Sequence, residues 1–192
     1  PIIALHGGPS VPSNYLYPLA KCVPYRSILF YDMLGCGASD QPTDLDAYFI
    51  EQAVDDLEAM LKKLSIRRFH LYGQSFGGIL AYEYLKRCAE RGQVHGGDEG
   101  CLSLILSSTP TNVVQVEGVA ESLLGELSSP EVFRETHQCR TPEMPKPLAD
   151  AYAAAGTVWR GTTANKSYVA QAPGKEADIM PSPWVMLSLI TI

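Results

Sequence analysis

Residues 70–78 read HLYGQSFGG, and this stretch decides the fold. It contains the pattern Gly-x-Ser-x-Gly with Ser75 at its centre. In a chain of this length and composition, about 0.1 occurrences of this pattern are expected by chance. The apolar run of residues 69–72 predicts a strand before the serine, and the periodicity of residues 77–91 predicts a helix after it. A serine on such a tight strand-to-helix turn exposes its hydroxyl and is a candidate nucleophile. The simpler alternative is a serine that only caps the helix.

Strand and helix signals alternate on both sides of this segment. Short apolar runs that end at turn-forming residues occupy residues 1–5 and 27–31, and such runs are typical of strands buried on both faces of a parallel sheet. Residues 101–106 predict a further strand. Residues 46–64 have apolar side chains at helical spacing, with acidic residues early and lysines late, which predicts a helix. Another helix is expected near residues 15–21, where Pro18 interrupts the pattern. The order predicts an α/β fold with a mostly parallel sheet and right-handed crossovers.

The pattern changes after residue 110. Residues 112–140 predict helices interrupted at residues 128–130, the clearest of them over residues 131–137. Residues 141–183 are rich in proline and predict no strand. We therefore expect a partial sheet core, a helical cap and a divergent tail, over residues 1–110, 111–163 and 164–192.

A second constellation, His6-Gly7-Gly8-Pro9, directly follows the first predicted strand. Its glycines allow backbone N–H groups to approach a bound substrate closely. In serine hydrolases of this layout, one oxyanion donor is the N–H of the residue after the nucleophile and the other comes from such a loop. Phe76 with Gly7 or Gly8 is therefore the predicted oxyanion hole, and an ordinary turn is the alternative. We expect His6 to be a hydrogen-bonded structural residue and not a base.

Three stretches resemble the proline iminopeptidase family of serine aminopeptidases: HGGPS at residues 6–10, SILFYDMLGCGASDQP at residues 27–42 and HLYGQSFGGILAYEYLKR at residues 70–87. The resemblance covers about residues 1–110 and implies an α/β-hydrolase fold. Two positions depart from the family pattern, because Ser10 replaces a glycine and Phe76 stands where tryptophan is frequent. The family also implies that Asp32 and the turn after it are structural. Near Trp159, the glutamate that binds a substrate α-amino group in the family has no counterpart.

The resemblance implies a catalytic acid and a catalytic histidine later in the chain than Ser75. The later candidates are His95, His137, Asp98, Asp150 and Asp178. None follows a predicted strand, so we expect each to be a solvated loop or helix-end residue. The chain also begins at Pro1 inside a predicted strand. We therefore expect a fragment that lacks the Asp and His of the triad and is catalytically incomplete.

The expected function is that of a serine hydrolase that releases N-terminal proline, or another N-terminal residue, from short peptides or amides. Ser75 would form an acyl-enzyme, and no metal or cofactor is needed. Two alternatives remain open, an esterase or lactonase on the same fold and a non-catalytic domain that binds a ligand in the same pocket. Epoxide hydrolases and dehalogenases are disfavoured, because they carry aspartate where this chain has Ser75.

The composition disfavours several other classes of protein: nucleic-acid-binding, membrane-spanning, disulfide-bonded and zinc-binding proteins. The 15 basic against 21 acidic residues give a net charge of −6 without a basic cluster, which disfavours nucleic acid as a partner. No apolar run reaches about 18 residues, so no membrane segment is expected. Five cysteines without paired spacing predict free thiols in a reducing compartment, the cytoplasm, and not disulfides or a zinc site. The expected partner is a small peptide or amide, and the oligomeric state stays open.

Overall fold

A parallel sheet forms the centre of the computed structural model, which describes residues 1–93, 99–110, 113–127 and 129–159. Its four strands lie in the order β2-β1-β3-β4. They are β1 (Ile2–Leu5), β2 (Ile28–Phe30), β3 (Arg68–Gln74) and β4 (Gly100–Ser107). All four lie where the sequence predicts strands, and the predicted α/β class with a parallel sheet is confirmed.

The strand register brings the two glycine-rich constellations to one edge of the sheet. In the centre, Ile3 of β1 lies opposite Leu29 of β2 on one side and Leu71 of β3 on the other. Because neighbouring strands are parallel, their carboxyl ends meet at the same edge, where open α/β sheets bind ligands. The segment after Leu5 and the segment after Gln74 therefore leave the sheet side by side.

The described residues form six α-helices. They are α1 (Leu19–Cys22), α2 (Ile50–Lys63), α3 (Phe76–Glu90), α4 (Val113–Glu126), α5 (Pro130–Phe133) and α6 (Lys146–Ala153). The helix expected near residues 15–21 is instead a 3₁₀ turn, Ser13–Leu16, followed by α1. Pro18 is the reason, because it has no N–H to continue a helix and is tolerated only at its start.

The hydrophobic core lies between the sheet and helices α2 and α3. Leu57 of α2 and Leu80 of α3 are fully buried there against Ile3 and Leu71. The face of α2 predicted from its apolar spacing is the one that is buried. The prediction of burial on both faces holds for β1 but is wrong for β2, whose three residues are only partly buried because β2 lies at the edge of the sheet.

The described residues after β4 contain three helices joined by non-helical segments, and no strand. The predicted break falls between α4 and α5, and the helix predicted over residues 131–137 is α5 followed by a π-helical turn, Arg134–Gln138. Residues 164–192, the predicted tail, lie outside the described residues, so the three-part division remains a prediction. Among the described helices, none combines the length and apolar character needed to cross a membrane.

Candidate active site

Ser75 occupies a strained turn between β3 and α3. Its φ is +52° and its ψ is −119°, a combination that residues other than glycine rarely adopt. Two hydrogen bonds of 2.9 Å hold the turn: the Ser75 N–H donates to the Ser107 carbonyl at the end of β4, and the Gly78 N–H donates to the Ser75 carbonyl. Strain of this kind persists only where the surroundings impose it, and it is typical of functional sites.

The glycines of the motif allow the turn to be this tight. A Cβ atom on Gly77 would lie 2.1 Å from the Leu5 carbonyl oxygen, and one on Gly73 would lie 2.5 Å from the Gly77 carbonyl oxygen. Both clashes are with main-chain atoms. The start of α3 therefore lies directly against the end of β1, which places Ser75 beside the loop that follows β1.

The Ser75 side chain does not cap the helix. It is half-buried and makes no capping hydrogen bond with α3. Among the described residues, none accepts a hydrogen bond from its hydroxyl. The alternative of a helix-capping serine is therefore not what the structure shows, and the role of Ser75 as a nucleophile remains the prediction for this hydroxyl.

The loop after β1 lies against Ser75. Gly7 is buried, and a Cβ atom on it would be 3.0 Å from the Ser75 Cβ. Gly8 is exposed, with a φ of +118°. Phe76 is the first residue of α3, so its N–H has no partner within the helix. The structure thus brings Gly7, Gly8 and Phe76 to the same edge of the sheet as Ser75, while their role as an oxyanion hole remains a prediction.

One of these N–H groups already has a partner. The Gly7 N–H donates to the Tyr15 hydroxyl at 2.7 Å, and the Tyr15 hydroxyl donates to Gln74 Oε1 at 2.5 Å. Nothing in the local sequence around Tyr15 indicates this contact, because Gln74 is 59 residues away in the chain. Gln74 itself lies at the first variable position of the Gly-x-Ser-x-Gly pattern, which carries no expectation of its own.

His6 is part of the framework, as its sequence context suggests. Its ring is fully buried, and its Nε2 accepts a hydrogen bond of 2.8 Å from the Met33 N–H. The ring proton is therefore on Nδ1, which lies 2.9 Å from the Gly7 carbonyl and donates to it. Burial lowers the pKa of His6, which keeps the ring neutral. With both nitrogens occupied, His6 orients the loop and is not placed to act as a base.

Asp32 organises the floor next to this loop. Its Oδ1 accepts from the Ser13 N–H and hydroxyl, both at 2.8 Å, and its Oδ2 accepts from the Ala38 N–H at 3.0 Å. Burial acts to raise the pKa of Asp32, but these hydrogen bonds outweigh it, so the pKa is below its usual value. Nearby, burial raises the pKa of the Cys36 thiol to about 12, which favours the protonated thiol at neutral pH. These contacts give Asp32 a structural role.

The described part of the chain places no histidine against the Ser75 hydroxyl. His70 lies 2.8 Å from the Ser103 hydroxyl through Nδ1, and His137 is exposed, with its ring 5.5 Å from that of Phe133. Asp150 pairs with Lys146 at 2.7 Å on the surface of α6. The other three candidates lie outside the described residues: His95, Asp98 and Asp178.

An aromatic cluster covers the residue after the nucleophile. The Trp159 ring meets Phe76 edge-on, with centroids 5.0 Å apart, and lies 5.8 Å from Tyr48. Trp159 is only 2% exposed. In the sequence, Trp159 is of interest only because the amine-binding glutamate of the proline iminopeptidase family has no counterpart near it. No local pattern indicates that Trp159 contacts Phe76.

The described residues form a cavity next to the floor around Asp32. This cavity of about 410 Å³ is lined by Asp32, Ser39, Phe49, Asp56 and Trp159, among others, between the turn after β2 and helix α2. Ser75 does not line it. No group of three or more His, Cys, Asp or Glu side chains converges to hold a metal ion within the described ranges.

Comparison with known families identifies the fold. A family model described as the alpha/beta hydrolase fold matches residues 1–168. The chain belongs to the α/β-hydrolase fold family. The crystal structure of proline iminopeptidase from Mycobacterium smegmatis is 27% identical, with a TM-score of 0.66 over 80% of this chain and 57% of that one. VinJ, with a TM-score of 0.67 at 22% identity, shares the fold. The predicted α/β-hydrolase fold is confirmed.

Curated relatives narrow the resemblance within the α/β hydrolases. The proline iminopeptidase of Saccharolobus solfataricus is 33% identical over 170 residues, which are 77% of this chain and 53% of that protein. The proline iminopeptidase of Lactobacillus helveticus is 44% identical over 112 residues, 57% of this chain and 35% of that protein. The predicted resemblance to proline iminopeptidases is confirmed. The chain spans about half or less of the length of these relatives.

Proposed function

We propose that the protein carrying these residues is a serine hydrolase of the proline iminopeptidase type. It would release N-terminal proline, or another N-terminal residue, from short peptides or amides. The observation that carries this proposal is the strained turn at Ser75, packed against the Gly7 loop at the carboxyl edge of the sheet. The likeness to two proline iminopeptidases at 33% and 44% identity supports the substrate class.

In the proposed reaction, Ser75 Oγ attacks the carbonyl carbon of the bond to be cleaved. A histidine takes the hydroxyl proton and gives it to the leaving amine, so that an acyl-enzyme remains. Water then attacks the acyl-enzyme, and its proton returns to Ser75 through the same histidine. The Phe76 N–H and an N–H of Gly7 or Gly8 stabilise the oxyanion, and each such donor typically lowers the barrier by ~3–4 kcal/mol.

We further propose that the 192 residues alone do not turn over substrate. Of the four histidines, His6 has both ring nitrogens engaged, and His70 and His137 contact other side chains. The fourth, His95, lies outside the described residues, in a glycine-rich stretch of the sequence that follows no predicted strand. Loss of one triad member reduces the rate by roughly 10⁴- to 10⁶-fold. Release of naphthylamine from proline naphthylamide by these 192 residues should therefore stay at the uncatalysed rate. A clear enzymatic rate from them would contradict this proposal.

The nucleophile is tested on the product of the complete reading frame that contains these residues. A fluorophosphonate probe should label the peptide that contains Ser75, and Ser75→Ala should abolish both labelling and hydrolysis. Ser27→Ala, which changes an exposed serine, serves as the control and should leave both intact. Hydrolysis that survives Ser75→Ala would overturn the proposal.

An esterase or lactonase is the second candidate, because residues 158–163, which lie near the place of the amine-binding stretch of proline iminopeptidases, contain no glutamate. Rates on proline naphthylamide and on a simple acyl ester separate the two. A strong preference for the amide supports the aminopeptidase, and a strong preference for the ester supports the second candidate. Ligand binding without turnover in the complete protein, unchanged by Ser75→Ala, would instead indicate a binding domain.

We also propose a reducing compartment, the cytoplasm, as the location. All five cysteines are unpaired, and three of them are buried: Cys36, Cys88 and Cys101. Titration with a thiol reagent after unfolding should count five free thiols in protein purified without reductant. A count of three or fewer would indicate disulfides and contradict the proposal.

A further inference from the structure

The Tyr15 hydroxyl joins the two halves of the candidate site. It accepts the Gly7 N–H at 2.7 Å and lies 2.5 Å from Gln74 Oε1. Gly7 belongs to the loop after β1, whereas Gln74 is the residue directly before Ser75. A single side chain thus bonds both to the loop that lies against Ser75 and to the strand end that carries it.

The direction of these two bonds follows from the atoms. A backbone N–H can only donate, so the Tyr15 oxygen is the acceptor from Gly7, and its own proton goes to Gln74 Oε1. Burial raises the pKa of Tyr15, so its hydroxyl is protonated at neutral pH and can donate to Gln74 while it accepts from Gly7. The 3₁₀ turn that contains Tyr15 is itself fixed, because Ser13 bonds to Asp32.

We propose that Tyr15 is a positioning residue that holds the loop of residues 6–9 at the correct distance from Ser75. The proposal rests on the proposed function, since it concerns the oxyanion hole of that reaction. With the Gly7 N–H engaged by Tyr15, the loop donor to the oxyanion is the Gly8 N–H. A displacement of about 1 Å in such a loop reduces a rate by roughly 10²-fold, so a hydroxyl without contact to the reacting atoms can control catalysis.

Tyr15→Phe in the complete protein removes the hydroxyl and keeps the ring. We expect kcat on proline naphthylamide to fall by about 10- to 100-fold with KM changed less than about twofold, because the oxyanion forms only after substrate has bound. Tyr17→Phe is the matched control. It lies two residues away, is 51% exposed and packs its ring on Phe30, so its kinetics should equal the wild type.

Gln74→Met provides a second route, because it removes the acceptor of the Tyr15 proton. We expect a fall in kcat similar to that of Tyr15→Phe, and the double variant should lose little more than either single variant, since all three break the same chain of hydrogen bonds. Thermal unfolding midpoints of all variants, measured in parallel, show whether each is folded at the assay temperature.

Three outcomes would overturn the role of Tyr15. The first is an unchanged or increased kcat in Tyr15→Phe, and the second is an equal loss of kcat in Tyr17→Phe. The third is a double variant whose fold-reduction in kcat equals the product of those of Tyr15→Phe and Gln74→Met. If Tyr15→Phe does not fold, an unchanged kcat in Gln74→Met has the same consequence. Ser75→Ala separates this proposal from the proposed function. If Ser75→Ala is inactive and Tyr15→Phe has the kcat of the wild type, only the role of Tyr15 is refuted. If Ser75→Ala still hydrolyses the substrate, the proposed function itself is refuted.

Discussion

Two glycine-rich segments meet at the carboxyl edge of the sheet, and different forces hold them. The turn that carries the proposed nucleophile Ser75 (the nucleophile turn, residues 73–78) is fixed mainly by main-chain packing, because a Cβ atom on Gly73 or Gly77 would clash with backbone atoms. The loop that carries the proposed oxyanion donors (the oxyanion loop, residues 6–9) is held by polar side chains, through His6 to Met33 and through Tyr15 to Gln74. Main-chain packing allows almost no adjustment, whereas a hydrogen bond can lengthen. We therefore expect substitutions in the turn to have larger effects on stability than substitutions around the loop.

The largest effect is expected from Gly77→Ala in the nucleophile turn. The new Cβ would lie 2.1 Å from the Leu5 carbonyl oxygen, so β1 and α3 must separate, and the free energy of unfolding should fall by about 3 kcal/mol or more. Gly118→Ala in α4 is the control, because a Cβ there meets nothing within 4 Å. Alanine is the better helix former, so this control should be stabilised by up to about 1 kcal/mol. Urea unfolding measures both, and equal values would show that the turn is not fixed by packing.

Asp32→Asn tests the floor beside the oxyanion loop. The amide replaces one acceptor oxygen by a donor and removes the charge from hydrogen bonds to Ser13 and Ala38. Hydrogen bonds to a charged group contribute about 1.5–3 kcal/mol, so unfolding should become easier by about 2 kcal/mol. The exposed Asp40→Asn should change the free energy of unfolding by less than about 0.5 kcal/mol. If the free energies of unfolding of Asp32→Asn and Asp40→Asn differ by less than about 0.5 kcal/mol, Asp32 does not anchor the floor.

His6→Gln examines the loop through the pH dependence of stability. Because burial lowers the pKa of His6 in the folded state, the unfolded chain binds the extra proton below pH 6.5. The contribution of neutral His6 to the free energy of unfolding is complete above pH 6.5. It is lost as the pH falls toward the pKa of His6 in the folded state, by at most about 1.4 kcal/mol per pH unit. His6→Gln should lose this contribution to the slope and about 1 kcal/mol at neutral pH. His137→Gln, which changes an exposed ring, should keep the slope, and an identical profile in His6→Gln would contradict the assignment.

The smallest effect is expected from Ser10→Gly, which restores the glycine of the proline iminopeptidase pattern. Ser10 does not have a positive φ, so the backbone at this position does not require glycine. Glycine there should reduce stability by about 0.4–1 kcal/mol through the greater freedom of the unfolded chain. Thermal unfolding measures the shift, and a stabilisation by Ser10→Gly would reveal strain at this end of the loop.

Local patterns account for the parts of this molecule that the sequence predicts well. The strand, turn and helix around Ser75 each have a signal of their own, in the apolar run, the glycines and the periodicity of α3. These features are encoded within a few residues, so one sequence is sufficient to predict them. The structural role of Asp32, in contrast, is implied by the resemblance to proline iminopeptidases and not by a local pattern, and Asp32 is found in that role.

The features that the sequence does not predict depend on contacts between distant segments. Tyr15 meets Gln74, and Trp159 covers Phe76, without any periodicity or spacing that would connect them. The partial burial of β2 could not be predicted for a similar reason. An apolar run does not show whether a strand lies in the centre or at the edge of a sheet. Such information arises only when the chain is folded.

The contact between Gly77 and the Leu5 carbonyl also limits how this turn can evolve. Where two side chains crowd each other, a smaller residue at one position can compensate for a larger one at the other. Here the second partner is a backbone oxygen, which every amino acid at position 5 carries equally. A smaller residue at position 5 therefore cannot make room for a side chain at position 77, and only a shift of the main chain of β1 or α3 would accommodate one.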